Sequence, residues 1–289
     1  VILSEALQSV TRTLSRAKIA DASAEAEVLL GHVLGMSKTG LYTEPERALT
    51  SAEAERLRHV VCRRLDREPA AYILEQREFY GIDFYVDSHT LIPRPETELL
   101  VEAAVELAGH ICGQGEQIAI ADIGTGCGAI AISLALALPQ AKIYATDISP
   151  LALKVAEVNC RRHSVTGQVE LLQGNLSEPL PGAVDLMVAN LPYIRDCEFA
   201  DLSPEIREHE PMIALAGGRD GLDKIREMLE QMRAKGDIHL DGWPAYLLLE
   251  IGQGQAEMVV SLVSEYFPRA SIELIPDLGG IERVAKVGL

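Results

Sequence analysis

Three short stretches of this 289-residue chain hold residue types whose spacing can do chemistry. The first is Asp122-Ile123-Gly124-Thr125-Gly126-Cys127-Gly128, which follows an apolar run and precedes a helical pattern. Glycine adopts backbone conformations closed to other residues and lets a ligand approach without meeting a Cβ. At the switch point of a doubly wound sheet such a turn cradles a nucleotide; alone, it is equally compatible with a tight structural turn. The second is Asp147, at the end of the next strand-like run. A carboxylate there can accept from both hydroxyls of a ribose, or can cap the helix that opens at Ser149-Pro150. The spacing G-x-G-x-G departs from the dinucleotide pattern G-x-G-x-x-G, and an acid at the Asp147 position fits either NAD or S-adenosylmethionine. Together the glycines and Asp147 point to a bound nucleoside. The third stretch is Asn190-Leu191-Pro192-Tyr193, directly after the run Val184–Ala189.

Taken alone, that third stretch could be a surface turn with a buried Tyr. In its strand context it resembles the loop of class I methyltransferases that act on planar nitrogens, whose motif is Asn/Asp-Pro-Pro-Tyr. The resemblance implies S-adenosylmethionine as cofactor, with Gly124, Thr125, Gly126, Cys127, Gly128, Asp147, Asn175, Leu176 and Asn190 around it. Planar nitrogens are poor nucleophiles because the lone pair is delocalised. Two acceptors aimed at the two N–H bonds fix the group and direct its lone pair at the methyl donor. The Asn190 side-chain oxygen and the Leu191 backbone oxygen can supply them, Pro192 stiffens the loop, and the Tyr193 ring packs on the flat substrate group.

A narrower resemblance runs over essentially the whole chain. Arg77-Glu78-Phe79, Leu91-Ile92-Pro93-Arg94-Pro95-Glu96-Thr97-Glu98, Asp122–Gly128, Asn190–Tyr193, Glu210-Pro211, Gly218-Arg219-Asp220-Gly221-Leu222-Asp223 and Glu250-Ile251-Gly252 are similar to the HemK/PrmC family. Membership implies N-methylation of the glutamine in the Gly-Gly-Gln loop of peptide chain release factors. The partner is then a protein, and neither a metal nor a dedicated general base is needed. This chain departs from the family pattern at Leu191, usually Pro, and at Asn175-Leu176, often an acid followed by an aromatic. Arg94 and Glu96 are expected to shape the pocket where cofactor and substrate meet, or to form an interdomain ion pair; Glu210 and Glu250 are expected to be structural. Asn-Leu-Pro-Tyr also occurs in ribosomal RNA adenine dimethyltransferases, which makes RNA adenine methylation the alternative activity.

These residues need elements to hold them. Leu3, Leu7, Val10 and Leu14 recur at helical spacing, as do Val28, Leu29, Val33 and Leu34 after a possible Asp21 cap. Thr50-Ser51-Ala52-Glu53 has the form of a capping box, and Leu57, Val60, Val61 and Leu65 follow it. Residues 1–73 are therefore expected to be a small helical bundle that recognises substrate, with a hairpin linker over 74–93 and a catalytic domain over 94–289. In that domain strands are expected at Ile118–Ile123, Lys142–Asp147, Val169–Gly174, Val184–Ala189, Ala245–Ile251, Ser271–Ile275 and Arg283–Val287. Helical runs near 128–138, 150–163, 221–235 and 254–266 separate most of them. The pattern predicts an α/β protein, a class I methyltransferase fold with a doubly wound, mostly parallel seven-stranded sheet and a small N-terminal helical domain. The last two strands are too close for a crossover helix and should pair antiparallel.

Bulk properties narrow the partners. The net charge is −17, and because residues 1–73 hold ten basic and ten acidic residues, the whole excess lies in 74–289. Such a region repels phosphate backbones, which argues against direct nucleic-acid binding and suits a basic protein partner. Cys62, Cys112, Cys127, Cys160 and Cys197 are odd in number and form no C-x-x-C pair, arguing against a disulfide framework or zinc site and for a reducing, cytoplasmic setting. Val1–Glu5 lack the layout of a secretory signal, although the absent initiator Met points to a trimmed sequence. No apolar run is long enough to cross a membrane, and the enzyme is expected to act as a monomer.

Overall fold

Residues 119–123, 186–189 and 246–250 are apolar at most positions, so they can be covered on both faces, and with 142–147 they become strands of one sheet. The structure is a computed structural model that describes residues 1–111, 117–236 and 246–289. Cys112 and Ala245 lie outside the described residues. By its contacts the chain divides into two units, Val1–Gln76 with Ser203–His209, and Arg77–Leu202 with Glu210–Leu289.

The first unit is helical: α1 (Leu3–Arg16), α2 (Ala22–Leu34), α3 (Lys38–Thr43), α4 (Ser51–Leu65), α5 (Ala70–Leu74) and, from the later segment, α9 (Pro204–His209). Leu3, Val10, Leu14, Leu29, Leu30 and Leu57 form its core. The Thr50–Glu53 capping box is present, each side chain serving the other's backbone N–H. One expectation fails locally. Asp21 precedes α2, but its backbone is left-handed (φ 48°) rather than extended as in a side-chain cap, and its side chain makes no cap bond. Val28 is exposed, because α2 buries Leu29, Leu30 and Val33 instead. Arg64 is buried and is held by Glu25 and Glu205, the latter supplied by α9.

The second unit opens with the hairpin β1 (Arg77–Phe79) and β2 (Ile82–Phe84), then α6 (Glu98–Ile111). Its main sheet is β3 (Ala119–Ile123), β4 (Lys142–Asp147), β5 (Val169–Gln173), β6 (Leu186–Ala189), β9 (Tyr246–Glu250), β10 (Ser271–Pro276) and β11 (Glu282–Gly288), in the order β10-β11-β9-β6-β3-β4-β5. Strands β5, β4, β3, β6 and β9 are parallel, and β11 pairs antiparallel with both neighbours. The helices α7 (Ala129–Ala137), α8 (Pro150–Arg162), α10 (Asp223–Gly236) and α11 (Ala256–Tyr266) make the connections that parallel strands require. One face of the sheet packs Ile123, Met187, Leu247 and Leu249 against Ile225, Met228, Leu229, Val259 and Val263 of α10 and α11.

A second small pairing was not signalled by any periodicity, since its strands are only two and three residues long. Strand β7 (Ile194–Arg195), which continues from the Asn190–Tyr193 loop, runs parallel to β8 (Ala216–Gly218). A Cβ on Gly217 would lie 2.7 Å from the Tyr193 Cα and 2.8 Å from the Gly221 Cα, so only glycine admits this approach. Gly217→Ala is therefore expected to destabilise the fold by about 1–3 kcal/mol through overpacking against backbone. Denaturant unfolding checks this; an unchanged midpoint would show that the loop and β8 separate freely.

Candidate active site

The parallel register determines which residues meet. Ile123 pairs with Thr146 on one side and Ala189 on the other, and Ala189 pairs with Leu249. The next residue of each strand, Asp147, Gly124, Asn190 and Glu250, therefore emerges at the same carboxyl edge of the sheet. That edge is where ligands bind in open α/β sheets.

The glycine turn is wired into β4. The Gly124 and Thr125 N–H groups both donate to the Thr146 carbonyl, at 2.9 and 2.8 Å. Gly124, Gly126 and Gly128 all have positive φ. Gly126 N–H donates to Asp147 Oδ2 at 2.9 Å, and Ser149 N–H donates to Oδ1 at 2.8 Å. Asp147 thus braces the turn and the start of α8 while keeping further lone pairs for a ligand. Burial raises its proton affinity, opposed by the N–H groups of Ser149, Gly126 and Ile148. Beneath the turn Asp122 is fully buried, with Oδ2 accepting from Thr125 Oγ1 at 2.6 Å and from Ala131 N–H at 3.1 Å. Its Oδ1 has no partner among the described residues, and burial pushes the carboxyl up to about 7.

A pocket partly open to solvent and lined, among the described residues, only by those of the second unit sits at this edge. Gly124, Gly126, Asp147, Asn175, Leu176, Asn190, Leu191 and Pro192 all line it. Thr125, Cys127 and Gly128 do not: Thr125 and Cys127 point inward, and Gly128 begins α7, where a Cβ would meet Ile132 Cδ1 at 3.0 Å. Tyr193 is also off the wall; its carbonyl accepts from Gln255 Nε2 at 3.0 Å, and burial pushes its phenol up to about 12.

Neighbours outside the sequence motifs complete the wall. Asn175 Nδ2 donates to Glu227 Oε1 at 2.6 Å, and Glu227 Oε2 in turn binds Lys224, which lines the pocket. Asn175 Oδ1 is thereby left to face other donors. Leu176 adopts a left-handed φ of 53°, rare for a branched residue. Ile213 is exposed at the pocket and its neighbour Met212 is exposed beside it, adding apolar surface. Arg94 pairs with the buried Glu210, whose Oε2 accepts from Ile92 N–H. Both partners of this ion pair belong to the second unit, and neither Arg94 nor Glu96 lines the pocket, which corrects the expectation for these two residues.

The Asn190 side chain is tied down from behind. Its Nδ2 donates to Thr97 Oγ1 at 3.1 Å. Glu250, buried at 3% exposure, lies beyond them; burial pushes its carboxyl up to about 7, while hydrogen bonding from Thr97 and Asn190 pulls it down. Thr97 and Glu250 were not assigned to the site from sequence, because only the three-dimensional register brings them to Asn190. Among the described residues no group of three or more His, Cys, Asp or Glu is placed to hold a metal, and no helix is long and apolar enough to cross a membrane.

A seven-stranded, mostly parallel sheet with a glycine turn at the carboxyl end of its central strand makes this a class I methyltransferase fold. The fold is shared with the catalytic domain of human METTL16 solved with a MAT2A 3′UTR hairpin, at a TM-score of 0.57 and 15% identity over 78% of this chain and 80% of that one. The N-terminal domain of human METTL16 is similar too, at a TM-score of 0.51 and 16% identity over 84% of this chain and 83% of that one. Family models for the PrmC N-terminal domain and the methyltransferase small domain match residues 5–74 and 97–206. The release factor glutamine methyltransferase of Geobacter sulfurreducens is 40% identical over 87% of this chain and 84% of its own length. That of Koribacter versatilis is 37% identical over 98% of this chain and 96% of its own. With identity of this order sustained from end to end, the chain belongs to the release factor glutamine methyltransferase family.

The raised carboxyl of Asp122 has a consequence for stability. A folded-state value near 7 against 3.8 for the free group means that the folded protein holds a proton the unfolded chain has released between those limits. Its contribution to stability is complete below about pH 4 and is lost as pH rises through 7. Wild-type stability should therefore fall relative to that of Asp122→Asn from pH 4 to pH 8, read by urea unfolding at each pH. A constant difference would mean that Asp122 is ionised throughout.

Proposed function

We propose that the protein transfers a methyl group from S-adenosylmethionine to the side-chain amide nitrogen of the glutamine in the Gly-Gly-Gln loop of a peptide chain release factor. The observation that carries this reading is that one pocket is lined both by the Gly124–Asp147 turn and by the Asn190–Pro192 loop, in a chain of this family.

The residues fit the cofactor. At Gly126 a side-chain position would open into free space, and Gly124 presents bare backbone, so a nucleoside and its tail can lie against the turn. Asp147 offers unused lone pairs to the ribose hydroxyls, and Asn175 Oδ1 is an acceptor for the adenine amino group. Leu176 covers the ring with an aliphatic side chain where much of the family is expected to use an aromatic. Bound there, S-adenosylmethionine supplies a methyl group already activated by its sulfonium. The protein then has to orient the acceptor.

Asn190 Oδ1 and the Leu191 carbonyl accept the two N–H bonds of the glutamine amide and turn its lone pair toward the methyl group. Leu replaces Pro at 191 without loss of the acceptor, since the group used belongs to the backbone. The nitrogen gains the methyl and loses one proton to water, so no side chain is needed as base. The helical first unit, which has no place in the pocket, recognises the body of the release factor. The acidic second unit favours a protein partner over RNA. We place this reaction in the cytoplasm, with the enzyme as a monomer.

Incubation of the enzyme with a release factor and labelled S-adenosylmethionine, followed by mass spectrometry, should place one methyl group on the Gly-Gly-Gln glutamine; label absent from that residue would refute the reading. Asp147→Ala should weaken S-adenosylhomocysteine binding by about 1.5–3 kcal/mol, the worth of bonds to a charged acceptor, in isothermal titration. Asn190→Ala should instead lower single-turnover rate by ~10²–10³ while leaving that affinity nearly unchanged.

A further inference from the structure

An asparagine amide is nearly symmetric in shape but not in polarity, since rotation about its last bond exchanges an acceptor for a donor. Which of the two Asn175 shows to the pocket decides what kind of ring edge can lie against it. We propose that Glu227 fixes this choice, holding Asn175 Nδ2 and leaving Oδ1 to the pocket. The site then selects a ring whose edge carries an amino donor, adenine, over one that carries an oxo group there, hypoxanthine. Glu227 is a positioning residue for the cofactor, and this role rests on the reading above, in which Asn175 meets the adenine amino group.

Both oxygens of one carboxylate are engaged. Glu227 Oε1 accepts from Asn175 Nδ2 at 2.6 Å, and Oε2 accepts from Lys224 Nζ at 2.7 Å. An ionised carboxylate has no hydrogen to offer in return. The hydrogen bonds from Lys224 and Asn175 hold the Glu227 carboxyl below the usual carboxylate range, so it is ionised at neutral pH. With the amide reversed, Asn175 Oδ1 would stand 2.6 Å from a charged oxygen with no hydrogen between them. That orientation is excluded, and the remaining amide oxygen points away from Glu227 on a residue that lines the pocket.

The support beneath Glu227 is rigid. It sits on α10, whose Ile225, Met228 and Leu229 are buried in the core that the sheet shares. One turn further along the same helix, Gln231 Oε1 accepts from Ser177 N–H at 3.0 Å and from Ser177 Oγ at 2.9 Å. The segment Asn175–Ser177 is therefore tied to α10 twice, at Ser177 and through the Asn175 side chain. From the sheet, Thr146 Oγ1 donates to the Leu176 carbonyl at 2.9 Å. An ion pair between exposed neighbours on one helix, such as Lys224 with Glu227, stabilises little by itself. The bond to Asn175 gives Glu227 a consequence at the pocket that the ion pair alone lacks.

Isothermal titration of the full chain with S-adenosylhomocysteine and with S-inosylhomocysteine, in which an oxo group replaces the amino group, gives a discrimination ratio for each variant. Wild type should prefer the adenosyl compound. Glu227→Gln keeps the shape but offers Asn175 a donor as well as an acceptor, so the amide can turn. The ratio should fall about tenfold, with the melting temperature nearly unchanged. Combining Asn175→Asp with Glu227→Gln exchanges the two groups. The amide at 227 then donates to the carboxylate at 175, whose other oxygen still accepts from the amino group, and the ratio should recover. A purely structural role for Glu227 would lower both affinities together and leave the ratio alone. A wild-type ratio in Glu227→Gln, or no recovery in the double variant, overturns the proposal. Asn175→Ala separates the two readings: a ratio lost there and kept in Glu227→Gln strikes only the role of Glu227, whereas a ratio kept in Asn175→Ala removes Asn175 from the adenine site altogether. Failure of the wild type to bind S-adenosylhomocysteine would overturn the cofactor assignment itself.

Discussion

The register of the parallel sheet is the constraint on which the site depends. Thr146, Ile123, Ala189 and Leu249 form one row across four strands. Because side chains in a strand alternate between faces, a slip of one residue in any of these pairings would turn an apolar strand over. It would also move one of Asp147, Gly124, Asn190 or Glu250 out of line. The buried aliphatic residues of β3, β6 and β9 thus hold the register, and the register delivers the polar groups. Stability and chemistry are specified by the same backbone bonds.

A second theme is the concentration of buried carboxyl groups at this edge. Asp122 and Glu250 are both nearly inaccessible, and each has one oxygen without a partner among the described residues. Both stand directly behind a wall of the pocket, Asp122 under the glycine turn and Glu250 behind Asn190. Asp122 in its place accepts from the Thr125 hydroxyl and the Ala131 N–H and so ties the glycine turn to α7. Polar groups at the pocket itself follow the same plan: Asn175 is braced by Glu227, and Asp147 by two backbone N–H groups.

Much of this could be read from the chain. The glycine turn, Asp147 and Asn190–Tyr193 are local signals, each lying at the end of a strand-like run, and six of the residues in them line the pocket, as do Asn175 and Leu176, which the family resemblance implied. Thr125, Cys127 and Gly128 were nominated by contiguity, whereas a turn presents alternate residues to opposite sides, and these three serve the interior. Thr97 and Glu250 carry no local signature. Thr97 lies 93 residues from Asn190, and only strand order places Glu250 behind both. Very short elements such as β7, β8 and α9 escape periodicity for want of length, and Asp21 shows that a residue suited to capping must also have the right backbone angles.

The excursion of Ser203–His209 into the helical unit bears on how the protein is made. Arg64 is buried with Glu25, from its own bundle, and with Glu205, separated from it by 141 residues. On a ribosome the five amino-terminal helices emerge long before Glu205 exists. The bundle therefore begins life with one of the two carboxylates that hold Arg64 missing and is completed only after β3 to β7 have been synthesised. The two units are consequently interleaved in the order of biosynthesis, and the last piece of the first is delivered from within the second.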